Sequence, residues 1–134
     1  MASIRKEIQV RAAPSDAWDA LRDFGAVHER VAPGFVVDTR SDGTDRVVTF
    51  ASGAQARERL VAVDDEHRRL VYTVVDGPLG AAHHQASVEV LDESDGSGGC
   101  RLVWITDVLP DGLARSVDGM MEKGAAAIAG ALGG

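Results

Sequence analysis

A glutamate at position 58 occupies the middle of AQARERLVAVD, residues 54–64. As an extended segment, this stretch puts Ala54, Ala56, Glu58, Leu60 and Ala62 on one side and Gln55, Arg57, Arg59, Val61 and Val63 on the other. The side that carries Glu58 is otherwise small and apolar, as expected where a sheet faces an interior with room left in it. A lone carboxylate there is costly, so it must pair, be hydrated or take up a proton. Each of these gives it an unusual environment for acid or base work.

Parity along the other extended segments supplies partners. Arg46 shares a side with Val48 and Phe50, and His84 shares one with Ala86, Val88 and Val90. Tyr72 aligns with Leu70 and Val74, and Trp104 with Leu102, Thr106 and Val108. Such a set offers an acid or base in Glu58, a fixed cation in Arg46, a switchable imidazole in His84 and a phenol in Tyr72. Proton removal beside a carbonyl, dehydration and aldol-type cyclisation all need that mixture: a base for the proton and a donor for the developing oxyanion. The expected catalytic residues are therefore Glu58, Arg46 and His84. Expected ligand contacts are Tyr72, Trp104 and Val88, with Val117, Met120 and Met121 from the C-terminal segment. The same side chains can also serve the fold alone, with Glu58 and Arg46 as a structural ion pair, Tyr72 and Trp104 as core aromatics and the methionines as pliable filling.

No metal or organic cofactor is called for. His28-Glu29 lacks the second histidine of a zinc-binding helix, and His83-His84 does not supply it. The GSGG run at residues 96–99 sits in an acidic turn without the lysine and helix of a phosphate loop. Cys100, the only cysteine, cannot form an intrachain disulfide and has no sequence-local helper for nucleophilic chemistry. With 14 basic and 21 acidic side chains, the net charge of −7 speaks against a nucleic-acid or anionic-membrane footprint. No signal peptide opens the chain and no apolar run is long enough to span a bilayer, so a cytoplasmic protein is expected. A strong preference for Arg over Lys, with abundant Ala and Gly, hints at a bacterial source.

These residues need elements to hold them. The opening ASIRKEIQVRA alternates as a strand with one wet face. A helix follows from Pro14-Ser15-Asp16, with Ala17, Trp18, Leu21 and Phe24 in one stripe; Gly25 interrupts it, and a second short helix is expected over 26–31 before Pro33-Gly34. Six further strands are predicted in FVVDTRS, DRVVTFA, QARERLVAV, RRLVYTVV, HHQASVEVL and RLVWITDVL. Their connections are too short for parallel crossovers, and ESDGSGG is expected to be a hairpin loop. From Asp111 onward Leu113, Val117, Met120 or Met121, Gly124, Ile128 and Leu132 recur at helical spacing. The expected fold is α+β: one domain over residues 1–134, with a curved, seven-stranded antiparallel sheet wrapped around a long C-terminal helix. Such a sheet can leave an internal hollow for a small ligand. Its edge strands also leave a homodimer open.

Several phrases, in this order, carry a resemblance: WDALRDFGAVHERVAPG at 18–34, the region of Arg46, ARERLVAVDDEHRRLVYTVVDGP at 56–78 and RLVWITDVLP at 101–110. The chain resembles the polyketide cyclase/dehydrase and lipid-transport family of the START-like (SRPBCC, Bet v 1-like) superfamily, over essentially its whole length. That resemblance implies a helix-grip fold and a small hydrophobic partner. Within the superfamily it looks closest to a branch that includes a plant lachrymatory factor synthase, whose proposed catalytic arginine and glutamate fall on Arg46 and Glu58. The tyrosine of that set falls on His84, a departure that puts the synthase activity itself in question. Many superfamily members only bind ligands, so three readings stand: a cyclase, dehydratase or isomerase; a carrier or sensor without chemistry; and a protein-binding module.

Overall fold

Alternating wet and dry side chains make β1 (Ala2–Val10), which ends on the buried Ile8 and Val10. The structure is a computed structural model that describes residues 2–93, 96 and 98–133. Met1, Ser94, Asp95, Ser97 and Gly134 lie outside the described residues, and with three of them much of the segment expected to form a hairpin loop. Helix α1 (Pro14–Arg22) begins with proline in its first turn, where a missing N–H costs nothing, and buries Ala17, Trp18, Ala20 and Leu21. Gly25 falls inside a 3-10 turn (Phe24–Ala26) that leads into the short α2 (Val27–Arg30). The break expected at that glycine is therefore present, and the second helix is shorter than its predicted span.

Six strands follow: β2 (Val36–Asp42), β3 (Asp45–Phe50), β4 (Gln55–Asp64), β5 (Arg69–Asp76), β6 (His83–Asp92) and β7 (Cys100–Leu109). All pair antiparallel in the order β1-β7-β6-β5-β4-β3-β2, so β1 and β2 are the edges. A 3-10 turn (Asp111–Leu113) then starts α3 (Ala114–Gly133), which buries Val117, Met121, Gly124 and Ile128 along one stripe. This is the curved seven-stranded sheet and long terminal helix that the pattern predicts.

The helix is held down at several points. Lys6 of β1 donates to Asp118 at 2.7 Å and also to Glu122, and the backbone N–H of Ala12 meets the Leu132 carbonyl at 2.9 Å. At Gly124 the helix comes closest to the sheet: a β-carbon there would lie 2.9 Å from the Trp104 ring and 3.3 Å from Phe35. At the other end, the Trp18 indole N–H and Arg22 Nε both donate to Asp65 Oδ1, each at 2.9 Å, tying α1 to the turn after β4.

Charge fixes the register of β3 against β4. Asp45 stands opposite Arg59 and Arg46 opposite Glu58, so adjacent positions carry opposite pairs on opposite faces. Asp45 accepts from Arg59 Nε at 2.8 Å and from Arg57 Nε at 2.7 Å. A slip of one residue in either direction would set Arg46 against Arg57 or Arg59 and send every side chain to the wrong face.

Pairing in β4 is less regular than strict alternation implies. Strict alternation placed Ala62 on the same side as Glu58; pairing passes from Leu60↔Tyr72 to Ala62↔Val71, which leaves Val61 as an inserted residue. Beyond it Ala62 stands opposite Val71 and Val63 opposite Leu70, while the alternation of exposure continues, with Ala62 half-buried and Val61 and Val63 exposed. A second irregularity between Arg57 and Glu58 leaves Glu58 opposite Val74.

The Arg59 guanidinium, helped by Arg57 and opposed by burial, draws the Asp45 carboxyl from 3.8 down to about 2. A folded value below the unfolded one contributes stability that is present above 3.8 and lost as pH falls through about 2. Urea midpoints measured between pH 5 and 2 are therefore expected to decline less steeply for Asp45→Asn than for the parent chain. Parallel curves would exclude Asp45 as a source of acid sensitivity.

Candidate functional site

Between the concave face of the sheet and α3 lies a cavity of about 260 Å³. Neighbouring strands bring the polar groups into its wall: Arg46 from β3, Glu58 from β4, Tyr72 from β5 and His84 from β6. Val88 of β6, Trp104 of β7 and Val117, Met120 and Met121 of α3 complete the set of side chains expected there, and all of them line the cavity. Two rows can be traced across the sheet. One runs through Arg46, Glu58 and Val74, with His84 alongside; the other runs through Leu60, Tyr72, Ala86 and Thr106.

Arg46 is fixed on three sides. Its Nε donates to Glu58 Oε1 at 2.8 Å, its Nη1 donates to the Phe24 carbonyl at 2.9 Å, and its guanidinium lies 3.8 Å from the centre of the Phe24 ring. The Tyr72 ring is 5.1 Å away on another side. Both members of the ion pair are nearly removed from solvent, with side chains 7 % and 10 % exposed. Taking two charges out of water is expensive, and the short contact, the carbonyl and the aromatic face offset that cost. Among the described residues nothing bonds to Glu58 Oε2 or to Arg46 Nη2. The pair thus keeps one acceptor and one donor in hand.

Burial first, and the Glu58 charge second, push the Tyr72 phenol above its usual 10.0; Arg46 and the hydrogen-bonding side chain of Trp104 pull weakly the other way. At neutral pH the phenol keeps its proton and can donate. His84 is drawn below 6.5, mainly by burial and also by His83, against the opposing pull of Glu58. Its ring is therefore neutral near pH 7, with one nitrogen to donate and one to accept, and no hydrogen bond engages it among the described residues. A carboxylate, a cation, a neutral imidazole and a phenol around an apolar hollow can together move a proton and hold an oxygen as charge develops on it.

Two participants are absent from the residues expected at the site. Phe24 belongs to the apolar stripe of the first helix, but its carbonyl becomes an acceptor for Arg46 because the helix ends at Arg22 and leaves that carbonyl outside the helical ladder. The break at Gly25 is its signal in the sequence. Thr106 also lines the cavity, and its signal is a hydroxyl among Leu102, Trp104 and Val108 on one parity of β7. Among the described residues no group of three or more His, Cys, Asp or Glu side chains could hold a metal ion, and no helix is long and apolar enough to cross a membrane. Cys100 is buried beside the Ala12 carbonyl, and burial raises its thiol.

Breaking a buried ion pair strands a charge, so Arg46→Ala and Glu58→Ala are each expected to lose about 3–5 kcal/mol of stability in urea titrations. The joint Arg46→Met, Glu58→Leu variant is expected to recover most of that loss, which a purely additive result would contradict. His84 gives a second check. Because its folded value lies below 6.5, the unfolded chain takes up a proton first, and stability falls as pH drops below 6.5. An NMR titration should place the His84 midpoint under 6.5, and His84→Gln should flatten the stability curve in that window.

The fold recurs in solved structures. The protein XoxI of Bacillus cereus superimposes with a TM-score of 0.87 at 16 % identity, covering 98 % of this chain and 96 % of that one. A START superfamily protein of Mycobacterium smegmatis gives 0.75 at 12 % identity, with 97 % and 96 % covered. A norcoclaurine synthase point mutant of Thalictrum flavum, in complex with a transition state analogue, gives 0.67 at 21 % identity over 98 % and 93 %. No curated protein matches the sequence. The sequence does match, over residues 1–133, the family described as polyketide cyclase / dehydrase and lipid transport. With a START-like, Bet v 1-like sheet and helix around one hollow, the chain belongs to that polyketide cyclase / dehydrase and lipid transport family.

Proposed function

We propose that the cavity binds a small apolar or aromatic metabolite bearing a carbonyl or hydroxyl, and that Glu58 transfers a proton on it. The observation that carries this reading is the ion pair in the cavity wall, with Oε2 and Nη2 left without partners among the described residues. Apolar walls from Val88, Trp104, Val117 and the methionines would take up the body of the ligand, and the polar wall would orient it. Size narrows the class. A dry cavity of about 150 Å³ holds benzene, so about 260 Å³ suits a substituted ring or a fused pair.

In the reaction so framed, Glu58 Oε2 removes a proton from the carbon next to the carbonyl. The electron pair moves onto the carbonyl oxygen, where Arg46 Nη2 and the His84 N–H stabilise the negative charge. Returning the proton at another carbon gives isomerisation. Expulsion of a hydroxyl as water gives dehydration, and attack of the enolate on a second carbonyl gives cyclisation. Arg46 is held by the Phe24 carbonyl and ring in this scheme, so the donor is in place before the charge forms. The family name supports the substrate class, and the norcoclaurine synthase likeness supports only the fold.

A second reading is a carrier without chemistry. It is favoured by the way Arg46 spends two of its donors on Glu58 and Phe24, which already gives the pair a task in joining β3, β4 and the turn before α2.

The test is to incubate the full chain with small-molecule extracts, identify the retained compound by mass spectrometry, and follow its turnover. Glu58→Gln keeps the shape and is expected to lower turnover by about 10²-fold or more while still retaining the compound. Unchanged turnover would eliminate Glu58 as the proton carrier, and retention by both proteins with no turnover would establish the carrier.

A further inference from the structure

Thr106 stands in β7 between Trp104 and Val108, opposite Ala86 on one side and Ile4 on the other. It is 2 % exposed and lines the cavity. Among the described residues its hydroxyl has no hydrogen-bond partner. Nor is it one of the sealed polar atoms left without one, which are His28 Nδ1, Thr39 Oγ1 and Arg101 Nε. A hydroxyl that is neither satisfied nor sealed borders open space, and the space beside it is the cavity. For the fold alone this is a poor choice of residue. Valine has nearly the same shape and no polar group to desolvate, whereas an unsatisfied buried hydroxyl is destabilising.

Position gives the hydroxyl a use. Thr106 lies three strands from Glu58, roughly 14 Å along the sheet at about 4.8 Å per strand, and closer across the concave side. The residue between it and Tyr72 in the same row is Ala86, the smallest side chain of that row. The polar wall at Arg46 and Glu58 and the hydroxyl at Thr106 thus stand three strands apart on the cavity wall, with Tyr72 and His84 on the strands between them. We infer that Thr106 is a second polar anchor, and that the ligand carries an oxygen function at each end of a flat apolar body. One oxygen meets Arg46 and Glu58, and the other exchanges a hydrogen bond with the Thr106 hydroxyl. The inference rests on the ligand-binding reading above and adds to it that the ligand is difunctional.

Two probes of nearly equal size separate the ideas: 2-naphthol, with one hydroxyl, and 2,6-dihydroxynaphthalene, with one at each end. Calorimetric titration of the full chain is expected to show about three- to tenfold tighter binding of the diol, the worth of one additional neutral hydrogen bond. Thr106→Val is expected to abolish that preference, to leave 2-naphthol affinity within about twofold, and to melt no lower than the parent. Thr106→Ser, which keeps the hydroxyl, is expected to retain the preference. If both probes bind and Thr106→Val prefers the diol as strongly as the parent does, the second anchor is refuted while the cavity reading stands. If neither probe binds, the cavity reading fails and takes the anchor with it.

Discussion

One buried ion pair organises this molecule. Arg46 and Glu58 face each other across β3 and β4 on the inner side of the sheet, where each alone would be an expensive charge. Everything around them makes the pair tolerable: the freed carbonyl of Phe24, the face of its ring, and the Tyr72 ring beyond. The same contacts explain why the first helix stops where it does. Continuing it through Gly25 would engage the Phe24 carbonyl in the helix and remove an acceptor that the guanidinium uses. A local break in secondary structure is in this way tied to a charge three elements further along the chain.

The outer face repeats the logic with the signs exchanged. Asp45, next to Arg46, accepts from Arg57 and Arg59, which flank Glu58. Interleaved pairs on the two faces make the register of β3 and β4 an electrostatic matter, in a region where the side chains are small and apolar packing discriminates weakly. The interior can therefore stay open around Ala56, because strand alignment there does not depend on filling the space with large side chains.

Much of this was legible in the residues. Alternation in the segments of Glu58 and His84 pointed to the faces that line the cavity, whereas the segment of Arg46 has no clean polar face and left its side open. Helical spacing from Leu113 to Leu132 likewise gave α3 and its buried stripe. The inserted Val61 was not legible: a bulge is a property of two paired strands, and nothing in residues 60–62 alone announces that Tyr72 and Val71 will face Leu60 and Ala62. For the Phe24 carbonyl the sequence offered only the break at Gly25, since a backbone acceptor has no residue type and nothing local names Arg46 as its donor. The cavity volume, too, depends on how far apart helix and sheet settle, which no local pattern states.

That separation returns to Gly124. With no side chain at this position, the helix rests directly on the Trp104 ring, and Phe35 closes in from the side. The helix face, together with the Trp104 ring, therefore helps to set the height of the chamber. Evolution could resize the chamber by exchanging residues along a single surface of α3, while the charged machinery on the strands is inherited intact. A scaffold partitioned in this manner can change the dimensions of its guest without rebuilding the groups that greet it.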